Sequence, residues 1–275
     1  MSSANFMEWV IRHGGQNFGI DIRDCPNEGG KGLFATADFR ENEVLVSIPD
    51  ALVITAGSVA DMEDMCEVFQ RSEYPLLLKI NHFRLKPFEA LVYFFIAERQ
   101  QNSKWFPYMQ VLPTSFSTPA YLYPFLKSED FPFKSRKQWY EQQQEISRMY
   151  RRFVAILGET TNWDKFLWAW HIVNTRCMYR NNKPHPLIDS SKGDTLAIVP
   201  LIDMLNHIKL LYESLNNHLI ANRSVHKGDQ VFVCYGSHSN ELLWIEYGFR
   251  LERNICNKVE IPLGCLNFLF KLFDM

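Results

Sequence analysis

The order of local signatures restricts this chain more than any other feature: strand-like, then helical, then strand-like again. Phe18, Ile20 and Ile22 alternate with Gly19, Asp21 and Arg23. Leu33-Phe34-Ala35 resumes after Gly29-Gly30-Lys31-Gly32, Val44 to Ile48 is closed by Pro49, and Leu52-Val53-Ile54-Thr55 follows. With an amphipathic stretch from Met7 to His13 before them, these segments predict short antiparallel strands. After Gly57 the pattern turns helical. Helices are predicted over Ala60 to Gln70, over Pro87 to Gln100 and over Lys137 to Leu157, and Thr161 opens another that runs through Phe166, Trp170 and Val173. Strand signatures return at Leu196 to Val199, near Leu219 and at Val231 to Cys234, before a short helix from Ser239 to Tyr247. Strands parted by an insert can still share a sheet, so the order predicts one α+β fold interrupted by a long helical insertion. On this reading residues 16–56 and 176–250 are the two halves, 57–175 is the insertion, and 251–275 begins a further region.

Composition excludes several classes. Lys and Arg number 29 against 31 Asp and Glu, so binding nucleic acid through bulk positive charge is not expected. The longest apolar run, Ala90 to Ala97, is too short to span a bilayer, and no membrane partner is expected. Met1-Ser2-Ser3-Ala4-Asn5 lacks the basic start of a secretory signal. The six cysteines (25, 66, 177, 234, 256 and 265) form no CxxC pair, which suits reduced thiols in an intracellular protein and argues against a structural zinc cluster. Residence in the nucleus or cytoplasm follows as an expectation.

Four short motifs stand out, each with an ordinary structural explanation. The glycines at 29, 30 and 32 suit a β turn, or a close backbone approach to a ligand, but no Lys-Ser/Thr follows and no phosphate loop is formed. Asp203-Met204-Leu205-Asn206-His207 reads by default as a turn closed by its Asx side chains. A metal site there would draw on His207, His218, His226 and Cys234, whose spacing fits no zinc pattern, so no metal is expected. Tyr235-Gly236 ends a strand where a structural tyrosine is common, and Arg176 ends an apolar helix where its charge complements the dipole.

In this order the motifs resemble those of the SET-domain methyltransferases. Within that family the chain resembles the branch with a long helical insertion, typified by the Rubisco large-subunit lysine methyltransferase. Three further stretches carry the resemblance: Trp105-Phe106-Pro107-Tyr108 with Leu112-Pro113, Leu167 through Arg176, and Tyr235-Gly236 with Asn240 through Phe249. The resemblance implies a SET β fold, S-adenosyl-L-methionine as cofactor, and a protein substrate, histone or non-histone, with an exposed lysine as methyl acceptor. It places cofactor contacts at Gly30, Lys31, Gly32, Arg176, Asn206 and His207, and the active-site tyrosine, also against the cofactor, at Tyr235. Phe249 falls near the acceptor channel, and 251–275 starts a truncated C-terminal substrate-binding region.

The chemistry agrees with these residue types. A lysine must lose its proton before it attacks, and an apolar wall favours the neutral amine, a role for which Met178 is a candidate. The alternative is a catalytically impaired SET-fold module that binds a protein partner without methylating it. That alternative draws on the 27 residues between His207 and Tyr235, fewer than the family's usual span, and on Ile208 where Ser or Thr is usual. The apolar stretch from Ile261 to Met275 is expected to self-associate unless it folds back on the acceptor groove.

Overall fold

Three small sheets, each joining strands from the two sides of the insertion, make up the framework. A computed structural model describes residues 3–25, 30–62, 84–122, 126, 127, 129, 131–157, 161–208, 214, 215 and 217–258. The first sheet contains β1 (Gln16–Asn17), β4 (Val44–Ser47), β10 (His218–Ile220) and β9 (Ser214–Leu215), in that order. The second, which builds the site, has the order β2 (Ile20–Cys25), β3 (Gly30–Ala35), β11 (Gln230–Val233) and β8 (Asn206–His207). The third is β5 (Ile54–Thr55), β7 (Leu196–Ile198) and β6 (Met178–Tyr179).

Alternation explains the second sheet. Ile20, Ile22 and Cys25 are buried on β2 while Asp21, Arg23 and Asp24 are exposed, and the strand pairs antiparallel with β3 from Ile20↔Ala35 to Cys25↔Gly30. The other edge of β3 takes β11 in antiparallel register, Val231 opposite Leu33. β8 then lies parallel to β11, with Phe232↔Asn206 and Val233↔His207. This parallel pair departs from the all-antiparallel expectation, because a crossover and not a hairpin connects the two strands.

Eight helices are described: α1 (Ser3–Arg12), α2 (Ala56–Ala60), α3 (Pro87–Ala97), α4 (Phe106–Met109), α5 (Pro119–Leu122), α6 (Phe133–Leu157), α7 (Trp163–Arg176) and α8 (Asn240–Tyr247). α3 is buried from Ala90 to Phe95, and α7 from Phe166 to Val173, so the two pack together as core helices. None of the helices among the described residues is long and apolar enough to cross a membrane.

Several boundaries differ from expectation for local reasons. Residues Asp50–Leu52 form a 3-10 turn after Pro49, which leaves only Ile54–Thr55 as strand. The glycine run is not a break between strands on its C-terminal side, since β3 starts at Gly30. Asn162, not Thr161, caps α7: its backbone is extended and its side chain accepts from the Lys165 N–H. The helix expected from Lys137 begins at Phe133, and the one from Pro87 stops at Ala97. Beyond Met62, the helix expected over Ala60 to Gln70 lies outside the described residues, as does the apolar stretch from Ile261 to Met275.

Candidate active site

The parallel pairing of β8 with β11 brings the Asn-His dipeptide under the tyrosine that follows β11. The Tyr235 N–H donates to His207 Nδ1 at 3.0 Å and its hydroxyl donates to the Leu205 carbonyl at 2.6 Å. The two rings lie 5.0 Å apart, centroid to centroid. Phe249 closes on both, 5.9 Å from His207 and 6.3 Å from Tyr235, and Tyr247 stands 5.0 Å from Tyr235. These two aromatics are delivered by α8 and its cap. Ser239 accepts from the Leu242 N–H at the start, and Gly248, at φ 83°, ends the helix in the left-handed conformation that glycine tolerates.

The protonation states follow from these partners. Burial pushes the Tyr235 phenol far above its usual pKa, so it is a neutral hydroxyl at physiological pH. Burial also lowers the His207 pKa, and a ring whose Nδ1 accepts a hydrogen bond carries its proton on Nε2. Tyr235 is therefore suited to hold and orient a group, not to act as a base.

On the strand side, β3 passes close beneath Asn206. A Cβ at Gly32 would lie 2.7 Å from Gln230 Nε2, 2.9 Å from Cys25 Sγ and 3.0 Å from Asn206 Nδ2, so only glycine leaves those side chains in place. The two amide nitrogens, Asn206 Nδ2 and Gln230 Nε2, are buried without a hydrogen-bond partner. Buried donors are nearly always satisfied, and two orphans around one glycine mark a place that accepts an outside acceptor. Gly30, at φ 105°, faces open space. Lys31 does not join them: its ammonium donates to Asp24 Oδ1 at 2.8 Å and to Ser3 Oγ at 3.4 Å, away from Asn206, so only its backbone is near the glycines.

Arg176, at the end of α7, is turned toward the chain just before the Asn-His pair. Its Nη1 donates to the Asp203 carbonyl at 2.9 Å and to Asp203 Oδ2 at 3.1 Å. Tyr108 of α4 donates to the same carboxylate oxygen at 2.6 Å. Burial opposes the Arg176 charge, but Asp203, Tyr108 and Tyr235 together outweigh it and hold the guanidinium above its usual pKa. Burial raises the Asp203 pKa, while Arg176 and the Tyr108 hydroxyl stabilise its charged form. Asp203 belongs to a 3-10 turn (Ile202–Met204) entered through Leu201, a fully buried non-glycine residue at φ 77°. Such a conformation costs of order 1–3 kcal/mol and persists where neighbours over-determine it. Met178, two residues past Arg176, is half-buried on β6 opposite Ala197.

Asn206, His207, Tyr235, Phe249 and Gly32 thus converge, and Arg176 meets them through Asp203. Sequence reasoning gave no role to Tyr108, Gln230 or Tyr247, and to Asp203 only that of closing a turn. Tyr108 and Tyr247 lay within stretches that carry the family pattern, whereas nothing local marks Gln230, which reaches Gly32 only through the pairing of β11 with β3. Among the described residues no cluster of three His, Cys, Asp or Glu side chains could hold a metal ion.

A single chain that brings a glycine strand, an Asn-His pair and a Tyr-Gly together across a helical insertion has the organisation of a SET domain. The SET domain family model matches residues 30–236, and the chain belongs to that family. Among particular relatives, it is 29% identical over 246 residues to SET domain-containing protein 4 of Mus musculus, covering 82% of this chain and 53% of the relative. It is 28% identical over 283 residues to the actin-histidine N-methyltransferase of Xenopus tropicalis, covering 94% of this chain and 45% of the relative. The chain therefore spans about half the length of the curated relatives it matches. The fold is shared with Rubisco LSMT bound to sinefungin and monomethyllysine, at TM-score 0.74 and 22% identity over 99% of this chain and 63% of that one. It is shared equally with Rubisco LSMT bound to AdoMet, at TM-score 0.72 and 21% identity over 92% of this chain and 57% of that one.

Proposed function

We propose that this protein is an S-adenosyl-L-methionine-dependent protein methyltransferase whose acceptor is a lysine side chain, histone or non-histone. The observation that carries the reading is the pair of unpartnered buried amide donors around Gly32, set beside a neutral tyrosine hydroxyl in an aromatic wall. The donor set fits the cofactor, whose adenosine and amino-acid parts are rich in acceptors. Asn206 and Gln230 would hold it through their side-chain amides, with the backbones of Gly30, Lys31, Gly32 and His207 alongside. Arg176 retains one buried donor, Nε, without a partner for the same purpose. Bound, the cofactor supplies an electrophilic methyl group on a sulfonium.

The chain's own residues prepare the acceptor. Bringing a lysine from its ordinary pKa to the neutral form at pH 7 costs about 4.6 kcal/mol. A wall of Met178, Tyr247 and Phe249 lowers that cost by disfavouring the ammonium. With its proton committed to the Leu205 carbonyl, Tyr235 presents oxygen lone pairs that accept from an amine N–H and point its free pair along one line. Tyr235 is the catalytic residue of this reading, and Met178 and Phe249 line the substrate channel.

A second reading keeps the enzyme and makes histidine the acceptor. It is favoured by the similarity, over 94% of this chain, to an actin-histidine N-methyltransferase. The deciding experiment incubates the full chain with methyl-labelled S-adenosyl-L-methionine and histones or cell extract, then hydrolyses the labelled protein to amino acids. Label in methyl-lysine supports the proposal and label in methylhistidine supports the second reading. Cofactor binding by calorimetry without any transfer points instead to the non-catalytic binding module, and no binding by folded protein rejects both methyl-transfer readings. Asn206→Ala is expected to weaken cofactor binding by about 1 kcal/mol or more.

A further inference from the structure

We infer that Tyr108, contributed by the helical insertion, is a positioning residue for methyl transfer: through Asp203 it fixes the turn that presents Asn206, His207 and the Leu205 carbonyl. The inference rests on the methyltransferase reading above. Tyr108 is fully buried and lies 95 positions before Asp203 in sequence, yet its hydroxyl meets Asp203 Oδ2 at 2.6 Å. That oxygen also accepts from Arg176, whose same Nη1 reaches the Asp203 carbonyl, so α4, α7 and the Ile202–Met204 turn meet at one residue. The other Asp203 oxygen has no partner. Losing the tyrosine hydroxyl would leave Arg176 alone to hold the side chain.

The turn requires holding. It is entered through Leu201 at φ 77°, and two residues after Asp203 comes the Leu205 carbonyl that receives the Tyr235 hydroxyl. Asn206, with its unpartnered amide, follows at once. A shift of the Asp203 turn therefore moves a cofactor donor and the anchor of the catalytic phenol together. The ring of Tyr108 is fixed independently, stacked 5.6 Å from Phe6 and tilted against Phe95 at 6.3 Å, so Tyr108→Phe removes the hydroxyl without removing the packing.

The test compares full-length wild type, Tyr108→Phe, Asp203→Asn and the double variant. Three quantities are read: affinity for S-adenosylhomocysteine by calorimetry, the split of kcat and KM for the methyl donor, and the thermal midpoint. We expect Tyr108→Phe to stay folded, to weaken S-adenosylhomocysteine roughly tenfold with a matching rise in KM, and to add nothing in the Asp203→Asn background. A purely structural role would reduce the amount of active enzyme, lowering kcat while leaving affinity and KM unchanged. That result, or independent addition of the two substitutions, overturns the inference. Should Tyr108→Phe not fold, Asp203→Glu displaces the same carboxylate by one methylene, and an unchanged KM there overturns it as well. Wild type that binds S-adenosylhomocysteine, with a variant that matches it, rejects this inference alone. Wild type that binds none rejects the methyltransferase reading and this inference with it.

Discussion

Replacing Gly32 by alanine separates folding from cofactor binding more cleanly than any other change in the site. The position lies in the middle of β3, paired with Arg23 on β2, and does not need a positive φ, so the substitution brings no backbone strain. Its whole effect is the added methyl group, which would fall 2.7 Å from Gln230 Nε2, 2.9 Å from Cys25 Sγ and 3.0 Å from Asn206 Nδ2. Carbon and nitrogen atoms rest near 3.5–4.0 Å apart, so each of these side chains must yield by roughly half an ångström or more. All three contacts are side-chain ends, which can yield, so the fold is expected to survive with a loss of about 1–3 kcal/mol, the ordinary cost of overpacking. The amides of Asn206 and Gln230 cannot yield and also keep their aim at a ligand. Loss of one or both hydrogen bonds from buried donors costs about 1–3 kcal/mol in binding, a factor of about five to 150 in Kd. Calorimetric titration of S-adenosyl-L-methionine into both proteins, with urea unfolding as the control, checks this. A folded Gly32→Ala protein with wild-type affinity would refute the placement of the cofactor against β3.

Three other outcomes follow from named contacts. Tyr235→Phe keeps the ring among His207, Tyr247 and Phe249 but loses the bond to Leu205, so cofactor affinity should hold while turnover falls roughly tenfold or more, which single-turnover assays would show. Gly248→Ala places a methyl 2.5 Å from Ser117 Oγ and 2.8 Å from the Thr118 nitrogen at φ 83°, and should cost about 2 kcal/mol or more in urea unfolding. His171 is fully buried against Phe116, Tyr121 and Trp170, and burial lowers its pKa from 6.5 to about 4. The unfolded chain therefore takes up a proton first, and stability is lost as pH falls from 6.5 toward 4, by about 3 kcal/mol for this group. His171→Phe should flatten that part of the stability profile, and an identical acid slope in the variant would refute the assignment.

Local chemistry alone determined much of the architecture. Alternation marked β2, short apolar runs marked β4, β7 and β11, Pro87 marked the start of α3, and Ser239 marked the cap of α8, because side-chain pattern and capping depend on residues only a few positions apart. The resemblance of ordered motifs then drew Gly32, Asn206, His207, Tyr235 and Phe249 into one list before any geometry was known. Tertiary structure decided the rest. That β8 lies parallel to β11 is a matter of long-range pairing, and the pairing is what seats Tyr235 on His207. Arg176 looked like a helix-end cation and Lys31 like a neighbour of its glycines, but the buried Asp203 and the exposed Asp24 claim their side chains. Tyr108, Asp203 and Gln230 could not be read as site residues from their neighbours in the chain. Their roles exist only where segments distant in sequence meet, and burial there makes every unsatisfied hydrogen bond costly.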